Sequence, residues 1–193
     1  MFRGATFSGD TSFSWATISR AHFDGATFSA TADFGRATFG DAVFTGATFS
    51  GDTSFSWTTF IGTAQFENVT FSGTAQFERA KFTGAWFDGA AFSGAARFER
   101  ATFAGPVYFD RATFSGSAQF EEVKFSGSAQ FMHATFSGTA QFGESTFSRT
   151  TNFEYVVLGE PSLSSALSNA RFHDRVEWGP FTPALHHNDD APD

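Results

Sequence analysis

The sequence predicts an all-β fold, a four-sided parallel β-helix whose chain winds through about seven stacked coils. Phenylalanine returns after every five or six residues along most of the chain, as in FSGTAQFERAKFTG at residues 71–84. The six-residue steps recur at every fourth return. A small residue precedes nearly every phenylalanine by two positions, which places small and large side chains on one face.

Each return of phenylalanine defines a position that we call a slot. The chain contains 30 Phe against 2 Tyr and 2 Met, so one residue type fills a repeated position. Ile18 fills one further slot, and Leu158 closes the series. The phenylalanine slots are residues 2, 7, 13, 23, 28, 34, 39, 44, 49, 55, 60, 66, 71, 77, 82, 87, 92, 98, 103, 109, 114, 120, 125, 131, 136, 142, 147 and 153.

The local pattern favours short strands joined by corners. In Ala75-Gln76-Phe77 the outer two residues point inward and the middle one outward, as in a strand of period two. A recurrence of five residues excludes an amphipathic helix, whose apolar positions recur near 3.6. Pairs such as Ser-Gly, Thr-Gly and Glu-Arg lie between the triplets, and Gly permits a backbone corner.

The order of the step lengths gives the number of sides. Six-residue steps leave seven phenylalanines that are each four slots apart, which stacks the extra residue coil upon coil as a bulge. From Phe60 onward the opposite corner usually has an extra residue too. The seven phenylalanines are Phe7, Phe28, Phe49, Phe71, Phe92, Phe114 and Phe136.

Over residues 2–158 the sequence resembles the pentapeptide repeat family, whose unit has a small residue two positions before a central Leu or Phe. The resemblance implies a right-handed, four-sided β-helix. The six-residue steps depart from the usual pattern, as does the preference for Thr or Gln over Asp or Asn before the phenylalanine. Some acidic members inhibit gyrase by imitating DNA, and the second departure weakens that inference here.

We divide the chain into a β-helix at 1–158, a C-terminal cap at 159–178 and a disordered tail at 179–193. The cap begins where Gly159-Glu160-Pro161 breaks the spacing, and SLSSALSNA within it could form a short helix. An uncapped coil end at Phe2 exposes strand edges, so we expect either a homodimer through a coil end or a truncated longer array.

The composition excludes several classes of site. With no Cys there are no disulfides, Cys-based zinc sites or thiol nucleophiles, and phosphate-binding, GxSxG and HExxH motifs are absent. His186-His187 with Asp189-Asp190 could bind a metal, but a solvated tail explains them better. We therefore predict no catalytic residue, cofactor or metal, and a cytoplasmic protein with neither membrane association nor direct nucleic-acid binding.

The outward residues provide the candidate interaction surface. Trp86 and Tyr108 should lie exposed one coil apart on a polar side, which favours a protein contact, although a pair stacked on itself explains them equally well. Trp15 and Trp57 occupy near copies, GDTSFSWATI and GDTSFSWTTF, which are two coils apart. Arg36 should then lie between the two indole rings.

Acidic residues directly after the phenylalanines also stack. Glu67, Asp88 and Asp110 should form one column. Glu78, Glu99 and Glu121 should form another on the opposite side, with Arg79, Arg100 and Arg111 directly after three of the acids to soften the repulsion. Residues 2–158 hold 14 acidic and 10 basic side chains, so a solvated surface explains these columns better than imitation of DNA.

A threonine ladder should cover one side of the β-helix. Such a flat ladder is what ice-binding β-helices display, but threonine also suits any strand surface. The ladder consists of Thr6, Thr27, Thr48, Thr70, Ala91, Thr113 and Thr135.

These observations together predict a non-enzymatic scaffold that binds an unidentified protein partner or has a structural role. A DNA-mimicking modulator of a type II topoisomerase such as DNA gyrase is the alternative, and an ice-binding protein is the third hypothesis. The three require different exposed surfaces: an aromatic patch, a continuous negative stripe or a flat threonine plane.

Overall fold

A computed structural model describes residues 2–159 and 166–179, and within them the chain forms a parallel β-helix of three sheets. Every pair of neighbouring strands is parallel, and the partners are about one coil apart in sequence, as Thr27 and Thr48 are. No helix among these residues is long and apolar enough to cross a membrane. The predicted parallel β-helix is confirmed.

The first sheet has eight strands and forms one side of each coil. Its strands are β1 (Thr6–Phe7), β4 (Thr27–Phe28), β7 (Thr48–Phe49), β10 (Thr70–Phe71), β13 (Ala91–Phe92), β17 (Thr113–Phe114), β21 (Thr135–Phe136) and β25 (Val157–Leu158).

The second sheet has seven strands and forms the next side. Its strands are β2 (Thr11–Ser12), β5 (Ala32–Asp33), β8 (Thr53–Ser54), β11 (Ala75–Gln76), β14 (Ala96–Arg97), β18 (Ala118–Gln119) and β22 (Ala140–Gln141).

The third sheet has twelve strands and covers the two remaining sides. Its strands are β3 (Thr17–His22), β6 (Thr38–Val43), β9 (Thr59–Gln65), β12 (Lys81–Trp86), β15 (Thr102–Phe103), β16 (Val107–Tyr108), β19 (Lys124–Phe125), β20 (Ala129–Gln130), β23 (Thr146–Phe147), β24 (Thr151–Asn152), β26 (Arg171–Phe172) and β27 (Val176–Glu177).

The step length affects how the strands of the third sheet pass the corner between its two sides. The five-residue steps after Ile18 and Phe39 let β3 and β6 run through the corner as single strands. The first six-residue step at this corner follows Phe60, where β9 still forms a single strand but its pairing with β6 shifts register. From β15 onward each coil has two short strands instead of one long strand, because the extra residue interrupts the ladder.

The spacing returns after residue 159. Strands β26 and β27 pair with β23 and β24, and this extends two sides of the β-helix to about eight coils instead of about seven. Phe172 stacks on Phe147 at 4.7 Å between ring centroids, and Trp178 stacks on Phe153 at 5.3 Å. The first four residues of the suggested short helix, 162–165, lie outside the described residues, and residues 167–169 form a turn. Met1, the predicted tail after Gly179 and the His186-His187 pair also lie outside the described residues.

The interior consists of stacked phenylalanine columns. Phe77 is fully buried, and its ring is parallel to Phe55 at 5.0 Å and Phe98 at 4.7 Å in the adjacent coils. It meets Phe87 edge-on at 5.5 Å with an interplanar angle of 87°. Alanines such as Ala75 fill the inward positions between the rings. Offset stacking along columns and edge contacts between them are the favoured arrangements of aromatic pairs.

Two of the four corners are β-turns with a left-handed residue. In the turn after Phe34, the Ala37 N–H donates to the Phe34 carbonyl at 3.1 Å, and Arg36 has φ +58°. A positive φ at the third residue is the arrangement of a type II turn. We call the two columns of left-handed residues corner 1 and corner 2. Corner 1 contains Trp15, Arg36, Trp57, Arg79, Arg100, Glu122, Glu144 and Asn169, and corner 2 contains Gly4, Gly25, Gly46, Asn68, Gly89, Arg111, His133, Tyr155 and Gly179.

The corner between the first and second sheets brings successive backbones close together. A Cβ atom added to Gly94 would lie 2.4 Å from the carbonyl oxygen of Gly73, and one on Gly116 would lie 2.4 Å from that of Gly94. At Gly94 and Gly116 glycine is therefore favoured by the close approach of stacked coils and not by its φ angle, whereas Ala30 occupies the equivalent position of an earlier coil.

Candidate interaction surfaces

Trp86 and Tyr108 lie one coil apart on the third sheet, where they are register partners in β12 and β16. Trp86 is 38% exposed, whereas Tyr108 is only partly exposed. The Trp86 and Tyr108 rings do not stack on each other, in contrast to the His133 and Tyr155 rings. The surface they form is therefore a single exposed indole beside a half-buried phenol, and it is less aromatic than the sequence predicts.

The acidic column of Glu67, Asp88 and Asp110 runs along the residues before corner 2. Backbone hydrogen bonds stack it, since the Asn68 N–H donates to the Asp88 carbonyl and the Gly89 N–H to the Asp110 carbonyl. The Glu67 carboxylate accepts the Thr45 hydroxyl at 2.9 Å, and one Asp110 oxygen accepts the Met132 N–H at 2.8 Å.

Partial burial disfavours the charged form of two members of this column, Asp88 and Asp110. Partial burial raises the pKa of Asp88, and the nearby charges of Asp110 and Glu67 raise it further. Partial burial also raises the pKa of Asp110, although the Met132 N–H and the charges of Arg111 and His133 oppose the shift. Partial burial also leaves less of the Asp88 and Asp110 carboxylates accessible to a partner than in fully exposed side chains.

The opposite acidic column consists of Glu78, Glu99 and Glu121. Burial is the main cause that raises the pKa of Glu99 and Glu121. Each of these two has one buried carboxylate oxygen that lacks a hydrogen-bond donor within the described chain. Glu78 differs because its carboxylate accepts the Ser56 hydroxyl at 2.6 Å. This column is therefore partly desolvated and costs some stability.

The arginines of corner 1 do not pair with the acids that precede them, which corrects part of the expectation. Arg100 donates two hydrogen bonds to Glu122, at 2.8 and 2.9 Å, and not to Glu99. Arg79 lies over the Trp57 ring at 4.6 Å. The left-handed turn is the physical reason, because it aligns the side chains of the column with one another from coil to coil. Only Arg111, on corner 2, acts partly as expected, since its charge opposes the rise in the pKa of Asp88.

Corner 1 holds the predicted tryptophan and arginine ladder. The guanidinium carbon of Arg36 lies 4.8 Å from the centroid of Trp15 and 5.6 Å from that of Trp57, so the prediction that Arg36 lies between the two indoles is confirmed. Trp15 is 70% exposed and Trp57 is 50% exposed. The four residues from Trp15 to Arg79 thus form a continuous cation–π ladder on the surface.

The threonine ladder forms in the first sheet as the register requires. Thr6, Thr27, Thr48 and Thr70 are successive partners, and Ala91 interrupts the series before Thr113 and Thr135. Ice binding stays a hypothesis on this surface.

Two histidines contact other side chains within the described residues, His22 and His133. His133 stacks on Tyr155 at 4.8 Å between ring centroids, and His22 Nδ1 lies 3.3 Å from an Arg3 nitrogen and 3.7 Å from Asp24 Oδ1. The sequence contained a signal for the contact between His133 and Tyr155, since these residues are one coil apart and each follows a phenylalanine by two positions. No group of three His, Cys, Asp or Glu in the described residues could hold a metal ion.

The comparisons with known proteins agree with the repeat. A family model described as Pentapeptide repeats (9 copies) matches residues 2–38, 34–81, 77–124, 109–157 and 120–167. No curated protein matches the sequence significantly.

Among solved structures, a trypsin-treated form of QnrB1, a plasmid-mediated fluoroquinolone resistance protein, is similar at 19% identity with a TM-score of 0.25. The match covers 89% of this chain and 84% of that chain. The family model accounts for most of the coils described above. The chain belongs to the pentapeptide repeat family.

Proposed function

We propose that the protein is a non-enzymatic scaffold that presents a rigid surface to a protein partner. The interior is filled by phenylalanine and small residues, and every coil repeats the same backbone hydrogen bonds. Variation between coils is therefore concentrated in the outward residues. Recognition by this protein depends on which side chains those outward positions carry.

The observation that carries the proposal is the exposure of large aromatic side chains on the surface. The packing of the core does not require these side chains. Trp15, Trp57 and Trp86 are all exposed, although the fold offers an interior column for aromatic rings in every coil. Exposed tryptophan is enriched at the centres of protein interfaces, where it contributes much of the binding energy.

Affinity capture from the native host, followed by mass spectrometry, tests the proposal. Wild-type protein should retain a partner in stoichiometric amount, and Trp57→Ser or Trp86→Ser should release it. Gln76→Ala is the matched control, because Gln76 points outward on the second sheet and is not aromatic. The proposal is wrong if no protein is enriched over bare resin, or if all three variants retain every captured protein equally.

A modulator of a type II topoisomerase is the second candidate. The specific observation that favours it is the stacked column of Glu67, Asp88 and Asp110. The partial burial of Asp88 and Asp110 weighs against it, as do the 10 basic side chains among the 14 acidic ones in residues 2–158. Assays of supercoiling by DNA gyrase separate the two candidates.

Two further expectations stay predictions. Sedimentation of the purified protein tests dimerisation through a coil end. Fractionation of host cells tests the cytoplasmic location.

A further inference from the structure

The exposed ladder of corner 1 is here called the Trp–Arg ridge, and it consists of Trp15, Arg36, Trp57 and Arg79. Its four side chains come from four successive coils, and all four are exposed. The left-handed turns, with φ between 57° and 62°, hold them in one line. Stacking fixes the long arginine side chains in advance, which lowers the entropy cost of binding a ligand.

The two arginines of the ridge keep their hydrogen-bond donors unused. Across the described residues, neither Arg36 nor Arg79 makes a side-chain hydrogen bond or an ion pair, whereas Arg100, the next residue of corner 1, is bidentate to Glu122. The indoles contact the flat faces of the guanidinium groups. The N–H groups lie at the edges of those planes, where they can meet a carboxylate in the fork geometry.

Within the described residues no acid forms an ion pair with the ridge, although the Arg79 charge acts on the Glu122 carboxylate, which is paired with Arg100. The residues before its first three members are Ser14, Gly35 and Ser56. Among the acids of the same coils, Asp33 accepts the Gly35 N–H at 2.8 Å and Glu78 accepts the Ser56 hydroxyl at 2.6 Å. The chain has a formal net charge of -8, so a cationic and aromatic line stands out locally from an acidic protein.

We propose that the Trp–Arg ridge binds an acidic segment of a protein partner, with one carboxylate on Arg36, a second on Arg79, and an apolar group against the exposed edge of the Trp57 indole. This proposal rests on the proposed scaffold function. Arg36 and Arg79 are two coils apart, which at the spacing of neighbouring strands is roughly 10 Å. In an extended peptide, side chains two residues apart lie on one face with Cα atoms about 7 Å apart, and the length of two glutamate side chains spans the remaining distance.

Charge favours a peptide over a nucleic acid. A single-stranded nucleic acid requires a positively charged groove that follows its backbone over several nucleotides. The ridge has two free guanidinium groups, and beyond them corner 1 turns acidic at Glu122 and Glu144. A short acidic segment needs no more than two cationic contacts.

Fluorescence anisotropy tests the proposal with three labelled probes: an octa-glutamate peptide, an octa-lysine peptide and a deca-thymidylate. Octa-glutamate should bind, and added salt should weaken the binding because the site is exposed. The double variant Arg36→Gln/Arg79→Gln should weaken it by about tenfold or more. The matched control is Arg149→Gln/Arg171→Gln, which removes the same charge from exposed sites outside the ridge and should change the affinity by less than about twofold.

A third variant separates the fork geometry from charge alone. Arg36→Lys/Arg79→Lys keeps both charges and loses the planar forks, so it should bind octa-glutamate nearly as weakly as the glutamine variant. Unchanged circular dichroism and thermal midpoints would show that all three variants fold.

Three outcomes overturn the proposal: no binding of octa-glutamate at about 1 mM, equal losses in ridge and control variants, or tighter ridge-dependent binding of deca-thymidylate. If the glutamine variant of the ridge still captures the host partner, this inference fails while the scaffold function stands. If no variant captures anything because wild-type protein captures nothing, the scaffold function itself fails.

Discussion

Truncation of Phe77 to alanine would open a hole in the middle of one phenylalanine column. The ring is fully buried, is stacked between Phe55 and Phe98, and meets Phe66 and Phe87 edge-on at 5.6 and 5.5 Å. Buried Phe→Ala substitutions cost about 3–5 kcal/mol. The rigid backbone ladder above and below leaves little room for collapse, so we expect a value toward the upper end of that range.

Chemical denaturation followed by far-ultraviolet circular dichroism measures the cost. Phe7→Ala is the matched control for the same chemical change, because Phe7 is only partly buried and stacks on one coil partner, Phe28 at 4.6 Å. It should cost about 1–2 kcal/mol less than Phe77→Ala. Gln76→Ala, on the outward side of the same strand, should cost less than about 0.5 kcal/mol. Equal losses for Phe77→Ala and Gln76→Ala would refute the assignment of inward and outward positions.

Three other predictions concern the corners and the acidic column. Gly94→Ala should lower stability by about 1–3 kcal/mol in the same denaturation assay, since its Cβ would meet the Gly73 carbonyl; an unchanged midpoint would contradict this close approach. Asp88→Asn should raise stability by about 0.5 kcal/mol at neutral pH and have no effect below about pH 3. A raised folded-state pKa makes wild-type stability fall as pH rises from the unfolded pKa through the folded one. An equal effect at both pH values would count against the burial argument. At low micromolar concentration and physiological salt the protein should not inhibit supercoiling by DNA gyrase, and inhibition abolished when Glu67, Asp88 and Asp110 are changed to lysine would show the opposite.

The reason for the last prediction is a comparison of charge densities. Duplex DNA carries about one charge per 1.7 Å of axis, so it carries about 20 charges over the roughly 35 Å length of this β-helix. Residues 2–158 hold 14 acidic and 10 basic side chains, which leaves a small net charge. The acidic column spans three coils only.

The sequence determined the inward positions and the stacking of coils because both follow from spacing alone. The register of Phe77 with Phe55 and Phe98 could be read from step lengths, as could the position of Arg36 between Trp15 and Trp57. A repeated spacing leaves few ways to align the chain with itself, so these predictions needed no knowledge of side-chain direction.

The partners of exposed charged residues could not be read in the same way. Arg100 had an acidic neighbour in sequence at Glu99 and another one coil away at Glu122, and it pairs with the second. That choice depends on the left-handed φ of the corner, which an arginine does not signal as glycine would.

The coil-by-coil register also limits how such a protein can change its length. Insertion of one whole coil keeps the interior columns in line, whereas insertion of a single residue at the Gly73 and Gly94 corner would disrupt a contact between backbones. The ridge imposes a stricter rule, because tryptophan and arginine alternate with a period of two coils between Trp15 and Arg79. Duplication of a two-coil unit would lengthen the ladder without breaking its alternation, and the near-identical segments around Trp15 and Trp57 have that spacing.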